Sequence, residues 1–327
     1  MIVLRNVLSA RRGLAGLRGK VVLITGGSRG LGLLLAREFA RQGCRVALCA
    51  RHRDQLERAR EDLAARGADV WIGTCDVSNA DEVQRLVAEL SAKFGRVDLL
   101  VNNAGIIQVG PASCMTADDY ELAMNTIFWG SLNMILAVLP QMQARREGQI
   151  VNITSIGGKV SVPHLLPYCC AKFALVALSE GLRAELARKG IRVTTVVPGL
   201  MRTGSHVNAM FKGRQGEESA WFELSASLPV VSMDAERAAR AIVRAARRRD
   251  AELTLSLPAI ALARFHGLFP APVASVLSLV NCLLLPKDEG GATVSRQGKD
   301  APRSERPLIF QVLTQLGRVA AQRYNQT

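Results

Sequence analysis

Aromatic side chains are scarce in this sequence: 5% of 327 residues, with only 3 tyrosines. The stacking platforms on which single-stranded nucleic acids bind are therefore not expected. Its 4 histidines, at positions 52, 164, 206 and 266, form no H-x-x-x-H pair, and there is no C-x-x-C, so no metal site is expected. The 7 cysteines (44, 49, 75, 114, 169, 170 and 282) follow no regular framework and mostly lie in apolar runs. They read as reduced thiols packed as small hydrophobes, which places the protein in the cytoplasm. Long apolar runs are also missing. Residues 267 to 285 carry no charge, but Pro270 and Pro272 interrupt them. The remainder makes about 20 Å of helix, short of a hydrocarbon core of about 30 Å.

What is present is apolar content (49%) and a net charge of +14. The charge is scattered apart from "RAARRRD" at 244–250, which reads as the solvated C-terminal end of a helix, favoured there by the macrodipole. With no recognition motif beside it, a nucleic-acid partner is not expected. The first residues, "MIVLRNVLSARRGLAGLRGK", make a poor secretory signal because Arg5 interrupts the apolar part and further arginines follow. They form either a short basic amphipathic helix or a loose extension.

From residue 21 short β-rich runs alternate with longer helical patterns. Apolar strands are expected at 21–25, 45–50, 69–75, 97–105, 149–155, 191–199 and 252–257. Between them the spacing predicts helices, including long ones over about 116–144 and 166–189. Continuously apolar strands separated by helices indicate a parallel sheet covered on both faces. The expected fold is α/β, a Rossmann-like doubly wound sheet of about seven strands. One domain covers 20–257, after a basic extension at 1–19. An apolar segment (258–286) follows, whose occupant is left open: a membrane surface, the substrate cleft or a partner subunit. The tail 287–327 is polar and Gly-rich to about 307, reads there as a linker, and ends in a short helix at about 308–323.

"TGGSRGLG" (25–32) falls where the first strand meets the first helix. Gly26 permits a tight turn, Gly30 lets the backbone approach a pyrophosphate, and Gly32 lets helix and strand pack closely. "YCCAK" (168–172) puts Tyr168 and Lys172 four apart, on one helix face. A nearby ammonium favours a phenolate, so Lys172 is expected to lower the pKa of Tyr168 and make it a proton donor to a carbonyl oxygen. Ser155, at the end of the fifth strand, can hydrogen-bond the same oxygen.

In this order and on these elements, the motifs resemble those of the short-chain dehydrogenases/reductases, in their single-domain class, over about residues 20–257. The resemblance implies that Thr25, Gly26, Ser28, Arg29, Gly30, Leu31 and Gly32 hold a nicotinamide dinucleotide. It implies that Asp76 and Val77 of "CDVS" lie by the adenine, and Asn103, Ala104 and Gly105 of "NNAG" by the adenosine half. Pro198, Gly199 and Thr203 of "PGLMRT" would flank the nicotinamide, and Lys172 would also hold its ribose. Asn125, in "MNTIFWG", is implied to anchor a water in a proton relay to Lys172. No carboxylate ends the second strand; Ala50 and Arg51 stand there. Arg51 and Arg29 can fork onto a 2′-phosphate, so NADP(H) is expected over NAD(H).

The expected activity is interconversion of a ketone or aldehyde and an alcohol. Met201, His206, Met210, Phe211, Trp221 and Phe222 suggest an apolar lid, hence a lipid-, retinoid- or steroid-like substrate. The alternatives are a broad reductase of small ketones and a cofactor-binding scaffold or redox sensor. A homodimer or homotetramer through the two long helices follows from the resemblance. Peripheral membrane contact, through the N-terminal or the 258–286 segment, also stays open.

Overall fold

The structure is a computed structural model describing residues 16–229, 231–287, 292–301 and 308–326. The reading of 1–19 as a basic extension therefore falls largely outside the described residues. Seven strands form one parallel sheet: β1 (Val21–Thr25), β2 (Arg45–Ala50), β3 (Val70–Thr74), β4 (Leu99–Asn102), β6 (Gly148–Ile153), β7 (Ile191–Pro198) and β11 (Glu252–Leu255). Their order is β11-β7-β6-β4-β1-β2-β3. The chain moves outward from β1 to β3, then returns to place β4 on the other side of β1. That reversal opens a crevice beyond the carboxyl ends of β1 and β4, where such sheets take ligands.

Helices cover both faces. On one side α1 (Gly30–Arg41) and α8 (Ala235–Arg248) pack together over the sheet with α2 (Arg53–Ala64), burying Leu34, Leu35, Phe39, Ile242 and Val243. On the other, α3 (Ala80–Phe94) and α5 (Gly130–Ala144) bury Leu86, Leu90, Met134, Ile135 and Val138. α6 (Leu166–Leu186) lies along β7. Asn79 caps α3, accepting from the N–H groups of Asp81 and Glu82, a device worth about 1 kcal/mol. The arginine run ends α8 as expected, Arg247 and Arg248 exposed in its last turn.

The expected single helix over 116–144 is divided. After α4 (Ala117–Ala123) the backbone makes a π-helical turn at Met124–Trp129 before α5 begins. Ala117–Ala144 is also, among the described residues, the one helical stretch long and apolar enough to cross a membrane; its buried side chains belong to the core beneath the sheet.

The tail differs from its reading as a linker. Within the described part, β12 (Ala292–Gln297) pairs antiparallel with β9 (Met210–Gly213), which pairs with β5 (Gln108–Val109). The alternation of "ATVSRQ" is too weak to announce a strand, and a partner some 80 residues away supplies the hydrogen bonds. The terminal helix is present as α11 (Leu308–Arg323). Residues 258–286 form a hairpin, α9 (Leu257–Leu268) and α10 (Pro270–Leu284), whose large side chains face out: Leu257 is 81%, Leu268 74% and Leu284 72% exposed.

Candidate active site

At the carboxyl end of β1, Thr25 ties the crevice together. Its hydroxyl accepts from the N–H groups of Asn103 and Ala104, both at 2.9 Å, and Asn103 Nδ2 donates to the Thr25 and Gly26 carbonyls. Gly26 (φ 61°) turns the chain there, and a Cβ on it would sit 3.0 Å from the Ala104 Cα. A Cβ on Gly32 would collide with the Gly26 carbonyl oxygen. Gly26 thus makes the tight turn and Gly32 the close helix–strand approach that their spacing suggested. α1 begins without a side-chain cap or an acidic residue in its first turn, so no carboxylate neutralises its positive end. The loop fits a dinucleotide's pyrophosphate.

On the opposite wall, Ser155 ends the strand region of β6 and accepts from the Gly157 N–H at 3.0 Å. Its hydroxyl also hydrogen-bonds Tyr168, in the first turn of α6. Lys172, one turn on, lies 5.6 Å from the Tyr168 ring centre and donates to the Ile153 carbonyl at 2.8 Å. Lys172 Nζ is also 3.8 Å from the position a Cβ of Gly105 would take, which places it against the "NNAG" turn. A buried polar chain holds α6 in this register: Asn102 donates to Asn152, Asn152 to Ser179, and Ser179 meets Thr195. The sequence patterns that suggested Ser155, Tyr168 and Lys172 thus converge on one place.

Electrostatics differ from expectation. Although part of its ring reaches solvent, its surroundings push the Tyr168 phenol up to about 12, with the Ser155 bond acting weakly the other way. Burial draws the Lys172 ammonium down to about 7. The expected lowering of Tyr168 by Lys172 is not what the geometry delivers, because desolvation opposes both charged forms at once. A stability consequence follows. Between about 7 and its ordinary 10.5, Lys172 is protonated in the unfolded chain but not in the folded one, so its contribution to stability rises with pH. The thermal midpoint of wild type relative to Lys172→Met should climb from pH 7 to 9. Parallel pH curves would rule out a depressed lysine. The comparison cancels the buried cysteines, whose raised values act oppositely above about 9.

Among the described residues, Asn125 makes no hydrogen bond with Lys172. It is exposed on the π-helical turn, whereas Ile127 is fully buried, its Cγ1 3.6 Å from the same Gly105 position that Lys172 approaches. A π turn adds a residue to the helical repeat and re-aims the side chains after it. Thus Ile127 and Lys172 meet the Gly105 turn from neighbouring elements.

The remaining positions divide. Asp76 accepts from the Ser78 N–H and hydroxyl, and Asn133 donates to the Val77 carbonyl, so both belong to the turn after β3. Thr203 is buried, its hydroxyl accepting from the Ser205 N–H. Gly199 follows Pro198, and a Cβ on it would meet Ser256 Oγ at 2.7 Å and Ala259 Cβ at 3.1 Å. The base of the α9–α10 hairpin therefore already explains this glycine. Arg29 donates to Asn208 at 2.7 Å, and Arg51 is exposed. Burial, then the charge of Arg51, lowers the Arg29 pKa, so the two guanidiniums share a field that a phosphate would relieve.

Among the lid residues, Phe211 and Phe222 pack edge to face in a cluster that touches Tyr168 and Cys169. Met210 lies in β9 and Met201 in β8 (Met201–Arg202), which pairs with β10 (Met233–Asp234); both methionines are partly buried. His206 is buried close to Glu223 of α7 (Gln215–Ser227) and to Gly317 of α11, so it serves the lid's packing. Sequence reasoning missed the tie between lid and active-site loop. His164 Nδ1 sits 2.8 Å from Glu218 of α7, whose other oxygen accepts from Trp221 at 2.6 Å. No local signal marks such a pair. It also missed Asn208 and the chain's last described residues beside the glycine loop.

Comparison with known proteins agrees with this geometry. A family model described as short chain dehydrogenase matches residues 20–211. A dehydrogenase/reductase SDR family protein 7-like of Anopheles gambiae is 39% identical over 216 residues, covering 64% of this chain and 68% of its own. A short-chain dehydrogenase structure from Streptomyces avermitilis superimposes with TM-score 0.69 at 30% identity, covering 81% of this chain and 97% of that one. An actinorhodin polyketide ketoreductase variant solved with NADPH gives TM-score 0.65 at 30% identity, over 74% and 97%. This chain belongs to the short-chain dehydrogenases, oxidoreductases that act on CH–OH groups with a nicotinamide cofactor.

Proposed function

We propose that this protein is an NADP(H)-dependent enzyme interconverting a ketone or aldehyde and an alcohol, with Tyr168 as the acid and base. The observation that carries the reading is the meeting of Ser155, Tyr168 and Lys172 beside Gly105, at the carboxyl edge of β1, β4 and β6. A bound reduced nicotinamide, held by the glycine loop, would supply the hydride for the carbonyl carbon and be oxidised in doing so. The Tyr168 hydroxyl gives its proton to the carbonyl oxygen, so C=O becomes CH–OH. The phenol is protonated at neutral pH, as a donor must be, but burial makes it a weaker acid, so its proton leaves only as charge develops on a carbonyl oxygen held beside it. Ser155 holds the same oxygen and bonds Tyr168, fixing the direction of transfer. Lys172, donating to the Ile153 carbonyl, keeps its head beside the tyrosine ring and is placed to hold the nicotinamide ribose.

The preference for NADP(H) rests on Arg29 and Arg51 and on the missing carboxylate after β2. The NADPH in the ketoreductase neighbour supports it. For the substrate, an apolar molecule is favoured by the Phe211–Phe222 cluster beside Tyr168. A shallow, open and largely apolar cavity of about 380 Å³ also borders Trp221, lined by Leu224, Leu284, Leu285 and Phe310 with Glu217 at its edge. None of Ser155, Tyr168 and Lys172 lines that cavity, so it extends the lid region and is not the reaction pocket.

Two surfaces suit partners. Trp129 and Leu136 on the π turn and α5, with Phe173 on α6, are exposed on the long helices and fit a homo-oligomer. The exposure of the α9–α10 hairpin argues against a cover over the cleft. Helices of 12 and 15 residues, about 18 and 22 Å long, are too short to span but suit peripheral contact with a lipid surface.

The test is cofactor oxidation by the purified protein on ketones running from small aryl compounds to long-chain 3-keto compounds, steroids and retinal. NADPH should bind at least about tenfold tighter than NADH, with turnover concentrated on the large apolar members. Equal affinities would remove the NADP(H) assignment. Turnover confined to small ketones would favour a broad carbonyl reductase, and a best substrate that is a free sugar would remove the apolar one.

A further inference from the structure

The glycine loop is not bare. Gly30, the residue read as admitting a pyrophosphate, donates its N–H to the carbonyl of Tyr324 at 2.8 Å. The space that a Cβ of Gly30 would fill is taken by the Gln326 side chain. Asn325 Nδ2 donates to the Ser28 carbonyl at 2.8 Å and to the Gln55 carbonyl at 3.3 Å, and Arg58 donates back to Asn325 Oδ1 at 2.9 Å. Arg29 is engaged as well: it donates to Asn208 Oδ1, and Asn208 Nδ2 donates to both the main-chain and side-chain oxygens of Gln326. The other end of the cleft is touched too. Gly204 (φ 75°), next to Thr203, is pressed against Ala321, where any side chain would collide. The end of α11 thus wedges between the loop expected to hold the diphosphate and the loop expected to hold the nicotinamide.

Taking the cofactor reading above as given, we infer that Tyr324–Gln326 is an intramolecular competitor of the dinucleotide at the glycine loop, and that NADP(H) binds by lifting it. The glycine that allows a phosphate close to the backbone here allows the tail. One N–H cannot serve both, nor can the space over Gly30. The competition favours the cofactor once it arrives. The tail offers neutral carbonyl and amide groups, whereas a diphosphate makes charge-assisted hydrogen bonds about twice as strong to the same N–H and guanidinium groups. It also gains from the positive end of α1, which no acidic residue neutralises. The anchor on the tail's near side is firm, since Tyr324 is buried against α1 and α8. Freeing the Gly30 N–H, which the Tyr324 carbonyl holds, therefore draws the last turn of α11 with the tail. The device sets a threshold: if the tail is seated in about nine molecules of ten, cofactor affinity is lowered about tenfold.

Three forms test this: the full chain, the full chain carrying Asn325→Ala with Gln326→Ala, and a chain ending at Arg323. Dissociation constants for NADPH are measured by fluorescence, and amide exchange over 318–326 with and without NADPH. Thermal melting confirms that each form is folded; the double variant keeps Tyr324 in place should the shorter chain fail to fold. The expected result is about five- to tenfold tighter NADPH binding in the altered forms, with the amides of Tyr324 and Gln326 losing protection in the full chain when NADPH is added. Unchanged dissociation constants with unchanged exchange overturn the proposal, leaving the tail a passive wall. Weaker binding without the tail, with added protection on NADPH binding, also overturns it, because the tail would then be a clamp. Failure of every folded form to bind NADPH removes the cofactor reading, and the competition with it.

Discussion

Tyr168→Phe should lower turnover by about 10²–10⁴-fold, the range a positioned proton donor contributes, while the NADPH dissociation constant stays within about twofold. The hydroxyl is the only atom removed. The ring remains packed against the Phe211 cluster and over Lys172, and Ser155 keeps the Gly157 N–H as a partner. The fold has no reason to change, so lost activity with intact binding isolates the proton. The same assay on the wild type reports on Lys172. An ammonium drawn to about 7 makes the charge beside the phenol titrate in the neutral range, so reduction should weaken as pH rises through that value. Residual activity of Tyr168→Phe above about a tenth of wild type would show that another group supplies the proton.

The second large effect is expected at the glycine loop. Gly32→Ala puts a methyl group into the Gly26 carbonyl oxygen and 2.7 Å from Asn103 Nδ2. Both are fixed by the bonds that tie Thr25, Gly26 and Asn103 together, so the loop itself must shift. Such overpacking costs about 1–3 kcal/mol. We expect a fall of several degrees in the thermal midpoint and, because the displaced backbone carries the phosphate-facing N–H groups, NADPH binding about 10–100-fold weaker. Gly181→Ala is the control: it lies in α6, and a Cβ there meets nothing within 4 Å. It should be neutral or slightly stabilising, since alanine is the better helix former. If both substitutions behave alike, the close approach at Gly32 is not what the loop requires.

Much of the site could be read from residues close in sequence. The glycine loop lies at one strand–helix junction, and Tyr168 and Lys172 are one helical turn apart. Ser155 sits at a strand end, so the carboxyl edge of a parallel sheet collects it with them. The stretch around Asn125 shows what that kind of reading leaves out. A helix taken as regular from 116 to 144 assigns a face to each residue, and a six-residue π turn changes the assignment without any residue that announces it. Ile127 then meets the Gly105 turn beside Lys172. The pKa of Tyr168 fails for a related reason. Proximity of Lys172 was legible, but burial acting on both groups was not, because desolvation depends on everything packed around them.

Taken alone, the sequence determined the order of strands and helices, the parallel doubly wound sheet, the glycine loop at the end of β1 and the Ser155–Tyr168–Lys172 group. These follow from periodicities of two and 3.6 residues and from glycines whose backbone demands are local. Tertiary structure alone decided what long-range contact controls. It paired β12 with β9, buried His206 under the lid, and turned the apolar 258–286 segment outward as a hairpin. It also returned Asn325 to Ser28 across 297 residues of chain. Such contacts are selected by the shape and free hydrogen-bonding groups of surfaces that exist only after folding, and no local pattern in "YNQ" (324–326) anticipates the glycine loop it meets.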